Sequence, residues 1–387
     1  MIIEPKKIEI FTSICFKIIN LFFLAFFFDN CSQAQNLPAK EKKSGQQYYT
    51  MADFKSVEKY DVHVHVNTEK NTFLKQAEED NFRLVTINWD DVNDPPPMEE
   101  QQKFALQQIK AFPGHIAYAT TFSIRNFNNN NWQEQTIAYL KNSFGRGAIA
   151  VKIYKVIGMS LRDKNDKLVM IDDPRFDPII DFIVKNNIPV VGHLGEPKNC
   201  WLPVEQMTIQ GDQSYFRENP KYHMYLHPEF PSYEDQIRAR DHMLEKHPDL
   251  KFIGAHLGSM EWSVDELAKR LDKFPNMAVD MAARISHLKY QAKINWQKVH
   301  DFLVNYQDRL LYATDILISG SERDSSVKKQ THDTWINDWK FFTTDEKMES
   351  PDFDGGFKGL KLPREVINKI YRTNAEKWFP GFMKNKN

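Results

Sequence analysis

The sequence has few cysteines, and its positive and negative charges almost cancel. Only three cysteines occur among 387 residues, and two of them, Cys15 and Cys31, lie near the N-terminus. A chain cut after that region keeps Cys200 alone, so no internal disulfide can form and stability must come from the core. Lysine and arginine total 51 against 52 aspartates and glutamates, a formal net charge of -1. This balance excludes an overall field that would attract nucleic acid or an anionic membrane.

An apolar run near the N-terminus is short for a membrane span. It covers residues 14–28, follows two lysines and precedes a Ser-x-Ala sequence that ends at Ala34. This pattern predicts a secretory signal peptide at residues 1–34, export to the periplasm or the exterior, and no transmembrane segment after processing. A buried N-terminal helix and lipid attachment at Cys31 are the alternatives. Residues 35–50 are polar and rich in lysine, which predicts a flexible tether.

From Lys59 onward, short apolar runs alternate with amphipathic stretches. Eight runs are typical of strands: KYDVHVHV, FRLVTINW, HIAYATTF, AIAVKIYKVI, IPVVGHL, KFIGAHLG, MAVDMAA and RLLYATDIL. Strands that alternate with helices imply parallel pairing, and eight such units imply a (β/α)₈ barrel of the α/β class, a single domain over residues 51–387. No glycine-rich dinucleotide fingerprint follows the first strand, which disfavours a doubly wound open sheet.

Two connections are too long to be simple links. One runs from Glu196 to about Pro231 after the fifth strand, and the other runs from Ser319 to about Leu362 after the eighth. Both follow the carboxyl ends of strands, the face of a barrel where active sites form. They are therefore predicted to be long loops that shape or cover a pocket.

The first strand carries the most informative pattern, DVHVHV. Alternation along a strand predicts that Asp61, His63 and His65 share one face, while the intervening valines share the other and pack outward on helices. Two imidazoles that point into a barrel can converge on one cation. Taken alone, His-x-His is equally compatible with chance histidines on a solvated face.

Three further runs end in residues that commonly bind metals. His193 ends the fifth run, His256 ends the sixth and Asp315 ends the eighth. Each lies at the carboxyl end of its predicted strand, where the catalytic residues of barrels cluster. Together with the first strand, these residues favour one shared site over chance.

With these residues in this strand order, the chain resembles the amidohydrolase superfamily. It is most similar to the amidohydrolase-related branch, which also contains aminocarboxymuconate semialdehyde decarboxylase and resorcylate decarboxylases, and the resemblance spans Lys59–Phe379. The resemblance implies a distorted (β/α)₈ barrel with a metal site at the carboxyl ends of the strands. It further implies a catalytic or second-metal role for His256. The metal ligands that it implies are His63, His65, His193 and Asp315.

The same residues allow a hydrolytic mechanism. A divalent ion held by imidazoles with one open position lowers the pKa of bound water toward neutrality, and one Zn²⁺ is expected. Asp315 is placed to take the proton of that water and pass it to the leaving group, while His256 can polarise a substrate carbonyl. The predicted function is hydrolysis of a small ester, lactone or amide.

Two other functions stay open. Non-oxidative decarboxylation of a small carboxylic acid uses the same kind of metal site, and Arg284 and His287 would support it. The alternative from another class is a catalytically inactive periplasmic binding protein. In every case the expected partner is a small-molecule substrate. The sequence does not distinguish a monomer from a homo-oligomer.

Four other residues are candidates for the site. Lys152 is predicted to point into the barrel if the β-branched face of AIAVKIYKVI packs on helices. It would then either carry a carbamate that bridges a second metal, or contact a substrate carboxylate or Asp315 as an ammonium; the branch favours one metal. Glu196, Arg284 and Trp201 follow strand ends and are candidates for substrate contact. Ion pairing or pinning of a loop is the alternative for these three residues.

Overall fold

A computed structural model describes residues 47–91 and 96–384 of the chain. The signal peptide predicted at residues 1–34, and most of the tether predicted at residues 35–50, lie outside this part. Within it, no helix combines the length and the apolar character that crossing a membrane would require.

The last four residues of the predicted tether differ from that expectation, because they contact the barrel. The backbone carbonyl of Gln47 accepts a hydrogen bond from the amide of Arg364 at 2.9 Å. The hydroxyl of Tyr49 donates to Asn368 at 2.8 Å, and its ring lies 5.5 Å from that of Trp339. Residues 47–50 therefore pack on the domain that was predicted to begin at residue 51.

Each of the eight predicted strand positions contains a strand. The strands are β1 (Lys59–Val66), β2 (Phe82–Ile87), β3 (Ile116–Thr120), β4 (Ala150–Ile153), β5 (Val190–Gly192), β6 (Phe252–Gly254), β7 (Met277–Asp280), β8 (Leu310–Leu311), β9 (Leu317–Ile318), β10 (Lys347–Ser350) and β11 (Phe353–Lys358). From β1 to β8, sequential neighbours pair in parallel, and β9 pairs in parallel with β1. The last two strands form a separate antiparallel hairpin.

The eighth barrel strand is divided between β8 and β9, and it is bonded to both neighbours. Its first part pairs with β7 and its last part pairs with β1. Between them, the amide of Val62 donates to the carbonyl of Tyr312 at 3.2 Å, and the amide of Asp315 donates to the carbonyl of His63 at 2.8 Å. The predicted distorted (β/α)₈ fold is confirmed.

Helices follow the strands as the amphipathic pattern predicts. In Val264–Lys273, for example, Val264, Leu267 and Leu271 form one buried stripe, and the hydroxyl of Ser263 accepts from the amide of Glu266 to cap the first turn. The helices are α1 (Thr72–Glu79), α2 (Met98–Ala111), α3 (Trp132–Gly145), α4 (Val156–Met159), α5 (Asp177–Lys185), α6 (Gln210–Glu218), α7 (Tyr233–Lys246), α8 (Ala255–Gly258), α9 (Val264–Lys273), α10 (Ile285–Ile294), α11 (Trp296–Asn305), α12 (Asp324–Thr343), α13 (Arg364–Asn368), α14 (Asn374–Trp378) and α15 (Pro380–Lys384).

The core has an outer layer between strands and helices and an inner layer inside the barrel. The inner layer consists of small and medium apolar side chains from the strands, together with Trp378, Phe379 and Phe382 from the C-terminal helices. The ring of Phe382 lies 5.1 Å from that of Tyr60 and closes the amino-terminal end of the barrel. The amino-terminal end of the barrel is thus filled with apolar groups, and the polar residues that point inward lie at the carboxyl end.

The predicted alternation in β1 is wrong at Asp61 and Val62, because the strand contains a β-bulge. Asp61 pairs with Leu84 and Val64 pairs with Thr86, so β1 has one more residue than β2 over this interval. Val62 therefore packs inside the barrel, and Asp61 points outward to the indole of Trp335 on α12. The bulge returns the two histidines that follow to the interior.

The two long connections contain secondary structure of their own. The segment after β5 holds short 3₁₀ turns and α6. The segment after β9 is not a loop in its first half, because α12 extends over 20 residues, contacts α1 and buries Trp335 and Trp339. Only the part that follows this helix, which includes the hairpin β10–β11, resembles the predicted loop.

Candidate metal centre

Three of the predicted ligands converge at the carboxyl ends of β1 and the eighth strand. The side chains of His63, His65 and Asp315 each offer one ligand atom, and these atoms all lie within 4.8 Å of one another. Oδ1 of Asp315 is 3.1 Å from Nε2 of His65 and 3.4 Å from Nε2 of His63. Two imidazole nitrogens and a carboxylate oxygen are ligands that suit a divalent cation such as zinc.

The ring of His63 is oriented by Asp280, a residue that the sequence analysis missed. Oδ2 of Asp280 lies 2.8 Å from Nδ1 of His63, so Nε2 is the nitrogen that faces Asp315. Oδ1 of the same carboxylate accepts from the amides of His256 at 2.8 Å and Ala282 at 3.1 Å. A carboxylate behind a histidine fixes its tautomer and makes it a better ligand. Asp280 lies inside the seventh apolar run and is the last residue of β7, so its position at a strand end becomes evident only from the structure.

The ring of His65 is oriented by the backbone of β2. Its Nδ1 lies 2.7 Å from the carbonyl oxygen of Ile87, which leaves Nε2 for Asp315. The indole of Trp89 packs edge to face on this ring at 4.7 Å between centroids. Trp89 is buried, and its Nε1 has no hydrogen-bond partner among the described residues. One wall of the site is therefore aromatic.

His193 and His256 form a second pair beside these ligands. Nδ1 of His193 lies 3.2 Å from Nε2 of His256, and the two ring centroids are 4.2 Å apart. Nδ1 of His256 is 2.9 Å from the carbonyl of Ala282 and 4.0 Å from Oδ2 of Asp315. Burial lowers the pKa of His193 to about 4 and that of His256 well below its usual value. The structure thus places His193 next to His256 and outside the group of three converging ligand atoms.

The backbone is left-handed where three strands end at the site. His256, Ala283 and Asp315 have φ angles of 59°, 55° and 69°. This conformation is unfavourable for residues other than glycine and persists where the surroundings impose it. Here the amide of His256 is held by Asp280, and the amide of Asp315 is held by the carbonyl of His63. The side chains of His256 and Asp315 are therefore aimed by hydrogen bonds that oppose their backbone preferences.

Lys152 points into the barrel, as the β-branched pattern of its strand predicts. Its Nζ is buried and lies 3.3 Å from Nε2 of His63. Burial lowers the pKa of Lys152 to about 8, although the carboxylates of Asp280 and Asp315 oppose the shift. The lowered pKa makes the uncharged amine, the form that binds carbon dioxide or a metal, more accessible near neutral pH than it is for an exposed lysine.

Asp315 is a carboxylate that its neighbours keep ionised. Burial alone would raise its pKa, but the interactions with the imidazoles of His256, His65 and His63 hold that pKa well below its usual value. Asp61 behaves in the opposite way, because burial raises its pKa to about 7. Its Oδ2 accepts from the hydroxyl of Thr314 at 2.6 Å, which ties β1 to the residue before Asp315.

Glu196 lies beside His193 and is engaged by a lysine that the sequence analysis did not single out. Its Oε1 forms a short contact with Nζ of Lys155, and its Oε2 lies 3.5 Å from Nε2 of His193. Burial would raise the pKa of Glu196, but Lys155 and His193 hold it well below its usual value. Glu196 and Lys155 are both charged groups with little exposure to solvent.

Arg284 and Trp201 hold the segment after β5. Nη1 of Arg284 lies 3.4 Å from Oδ1 of Asp212 on α6, and Nε2 of His287 lies 3.2 Å from the other carboxylate oxygen. The indole of Trp201 donates to the carbonyl of Pro231 at 3.2 Å. Both candidates for substrate contact therefore make contacts that anchor this segment.

A wide surface groove of about 1240 Å³ lies away from these residues. It runs along α7 and α9, and its walls carry side chains of both charges together with Trp262 and Phe230. None of the predicted metal ligands lines it. The groove is therefore separate from the candidate metal centre.

Comparisons with known proteins identify a family but no close relative. The amidohydrolase family model matches residues 60–381. No curated protein matches the sequence. Among solved structures, a 4-oxalomesaconate hydratase from Rhodopseudomonas palustris is 12% identical with a TM-score of 0.47, over 84% of this chain and 97% of that chain. An amidohydrolase from Mycobacterium avium subsp. paratuberculosis is 13% identical with a TM-score of 0.40, over 79% of this chain and 72% of that chain.

Proposed function

The chain belongs to the amidohydrolase family, and on that premise we propose that it is a metal-dependent hydrolase of a small ester, lactone or amide. The observation that carries this proposal is the convergence of His63, His65 and Asp315, whose ligand atoms lie within 4.8 Å of one another. They lie at the carboxyl ends of barrel strands, where such enzymes carry out their chemistry.

The residues present fit a divalent cation. The rings of His63 and His65 are each fixed through Nδ1, so that both Nε2 atoms face Asp315. Desolvation also holds the pKa of His63 below its usual value, which favours the neutral imidazole that a metal requires. A cation bound there would act as a Lewis acid that acidifies a coordinated water and polarises a carbonyl.

The protein's own groups supply the proton transfers. Asp315 is ionised and lies against both histidines of β1, so its carboxylate can take a proton from an attacking water and return it to the leaving group. Nδ1 of His256 is engaged by the carbonyl of Ala282, so Nε2, which faces His193, is the nitrogen that would have to hydrogen-bond to the oxygen on which charge develops. The buried indole of Trp89 packs on the ring of His65 and shields that side of the site from solvent.

Hydrolysis is favoured over decarboxylation by the contacts of Arg284. The decarboxylase alternative relies on Arg284 and His287 as groups that could hold the carboxylate of a substrate. Arg284 is instead engaged by Asp212, and so is His287. An inactive binding protein is disfavoured because three donor atoms for a metal converge at His63, His65 and Asp315.

The test is a substrate panel assayed with and without the cation. The purified protein would be stripped with a chelator, reloaded with Zn²⁺, and assayed with small esters, lactones, amides and aromatic acids. We expect hydrolysis that is lost on stripping and regained on reloading. Asp315→Asn should reduce kcat/KM by about 10²–10⁴-fold, the range for general acid–base groups. His242→Asn, on an exposed surface helix, is the matched control and should leave the activity unchanged.

Two results would contradict the proposal. Release of carbon dioxide from an aromatic acid, without hydrolysis of any member of the panel, would indicate a decarboxylase. Turnover that survives complete removal of the cation would exclude the metal-dependent mechanism altogether.

We also propose that the reaction takes place outside the cytoplasm. The support is the N-terminal pattern at residues 1–34, with its small residues before the expected cut after Ala34. Mass spectrometry of the protein from its own host should find an N-terminus near Gln35. A lipid on Cys31 would indicate membrane anchoring, and an uncleaved chain would contradict export.

A further inference from the structure

Glu196 is brought back onto the ring of His193 by the turn that ends β5. Gly195 has a φ angle of 89°, a conformation that side-chain-bearing residues rarely adopt, and it allows the chain to reverse within three residues. The hydroxyl of Ser259 donates to the carbonyl of Gly195 at 2.9 Å and fixes this turn to the residue that follows α8. The carboxylate is therefore held at a defined place beside the imidazole.

The ring of His193 has one nitrogen that lacks a partner. Nε2 is buried and makes no hydrogen bond among the described residues, but Oε2 of Glu196 lies 3.5 Å away. The other nitrogen, Nδ1, faces His256, whose ring adjoins Asp315 and His63. Because a buried N–H group left unpaired is unfavourable, Nε2–H is expected to bond to the carboxylate with a small shift.

Lys155 fixes the other oxygen of the same carboxylate. Its Nζ forms a short contact with Oε1 of Glu196, and the ammonium also lies 5.0 Å above the ring of Tyr222. Tyr222 belongs to the segment after β5. On the other side, the ring of Tyr154 packs edge to face on that of His193, with 5.8 Å between the centroids. The carboxylate thus has one oxygen committed to Lys155 and one directed at His193.

We propose that Glu196, held by Lys155, is a positioning residue that accepts a hydrogen bond from Nε2–H of His193 and so presents Nδ1 of that ring to the cation. This inference rests on the proposed metal site. It assigns Glu196 to the ligand His193 and not to the substrate. A carboxylate that orients a ligating histidine typically changes metal affinity by 10–100-fold when it is removed.

The experiment measures the affinity for a cation, independently of turnover. Metal-free protein would be titrated with Zn²⁺ in competition with a chromophoric chelator, and the visible spectrum of the Co²⁺-loaded protein would report the ligand set. We expect Glu196→Gln to weaken Zn²⁺ binding by about 10–100-fold and to shift the Co²⁺ spectrum. The paired substitution Glu196→Leu with Lys155→Met leaves no unpaired buried charge and should weaken binding to the same extent.

A matched control and a conservative variant keep the result interpretable. Glu218→Gln alters an exposed carboxylate on the same segment and should bind Zn²⁺ like the parent. Glu196→Asp keeps the charge and should recover part of the affinity.

Parent-like Zn²⁺ affinity and an unchanged Co²⁺ spectrum in Glu196→Gln would overturn the inference. A raised KM in that variant would then return Glu196 to substrate binding, and a lowered Tm alone would make it a structural ion pair. If the parent itself bound no cation, the proposed metal-dependent function would be wrong. That result is distinct from a parent that binds the cation and a Glu196→Gln variant that binds it equally well, which would contradict the positioning role alone.

Discussion

At the scale of single residues, the candidate site depends on groups that aim other groups. Asp280 fixes His63 through Nδ1, and the carbonyl of Ile87 fixes His65 in the same way. Each ring is left with one nitrogen directed at Asp315. The amine of Lys152 points inward beside these rings, but the proposed reaction gives it no role.

Lys152→Ala distinguishes a one-metal from a two-metal site. If the amine is carboxylated and bridges two cations, the parent should hold about two metals per chain and the variant fewer. We expect the other result: about one metal in both proteins, with the variant impaired mainly through a raised KM. Elemental analysis of the two proteins, loaded with Zn²⁺ in bicarbonate buffer, provides the measurement. Two metals in the parent and fewer in the variant would instead make Lys152 a ligand and bring His256 into the metal site.

The residue types at the strand ends could be predicted from the sequence, but their orientation could be predicted only in part. His63 and His65 face inward as alternation predicts, because both follow the bulge in β1. Asp61 and Val62 precede it and take the opposite faces, since a bulge is set by the pairing with β2 and not by the periodicity of one strand. Asp280 was missed because a lone aspartate at a strand end differs from its neighbours only through long-range contacts.

At the scale of elements, a buried carboxylate, that of Asp212, helps to attach the segment after β5 to the rest of the barrel. Asp212 on α6 lies 3.4 Å from Nη1 of Arg284, and it accepts from Asn199 at 2.8 Å. Burial would raise the pKa of Asp212, but His287 and Arg284 hold it below its usual value, so it remains charged. The contacts with Arg284 and His287 join the segment after β5 to the loop after β7.

Asp212→Ala should loosen this segment without unfolding the barrel. The substitution leaves Arg284 and His287 without their acid, and α6 loses its link to the loop after β7. We expect limited proteolysis between about residues 198 and 231 to become faster, while the Tm of the barrel falls by a few degrees at most. Glu218→Ala on the exposed face of α6 is the control. Equal cleavage rates in parent and Asp212→Ala would show that this carboxylate does not hold the segment.

At the scale of the whole molecule, the barrel separates an apolar end from a polar end. The C-terminal helices close the amino-terminal end, and a buried lysine stabilises its outer layer. Nζ of Lys59 donates to the carbonyl of Phe54, by a short contact, and to that of Val57 at 2.7 Å. The same ammonium lies within 6 Å of the rings of Phe54, Phe82 and Trp339.

Lys59 should make stability depend on pH. Burial lowers its pKa from 10.5 to about 7, although Asp80 opposes the shift, so between these values the unfolded chain binds more protons than the folded one. The free energy of unfolding should therefore rise from about pH 7 toward pH 10. In Lys59→Met, the free energy of unfolding should rise less between pH 7 and pH 9.5. Urea denaturation of the metal-free proteins at these two pH values provides the measurement. Lys329→Met, an exposed lysine on α12, should behave like the parent, and an identical rise in Lys59→Met would refute the assignment.

The strand order of the whole molecule could be predicted because eight apolar runs alternate with amphipathic helices. The 20-residue helix α12 was hidden in a predicted loop, since its buried face is formed by Trp335, Trp339 and other contacts with distant parts of the chain. Its mixed polar sequence gives a weak amphipathic pattern, and tertiary packing supplies the stability that its own periodicity does not indicate.

The central claim is that the strand ends of this barrel hold a divalent cation, and elemental analysis tests it most directly. We predict about one equivalent of divalent metal per chain in the purified parent. The variant with both His63→Ala and His65→Ala should hold almost none while it keeps the circular dichroism of the parent. The control with His227→Ala and His242→Ala, two histidines outside the site, should retain the metal. A parent without metal, or a His63 and His65 variant with the full parental content, would contradict the account.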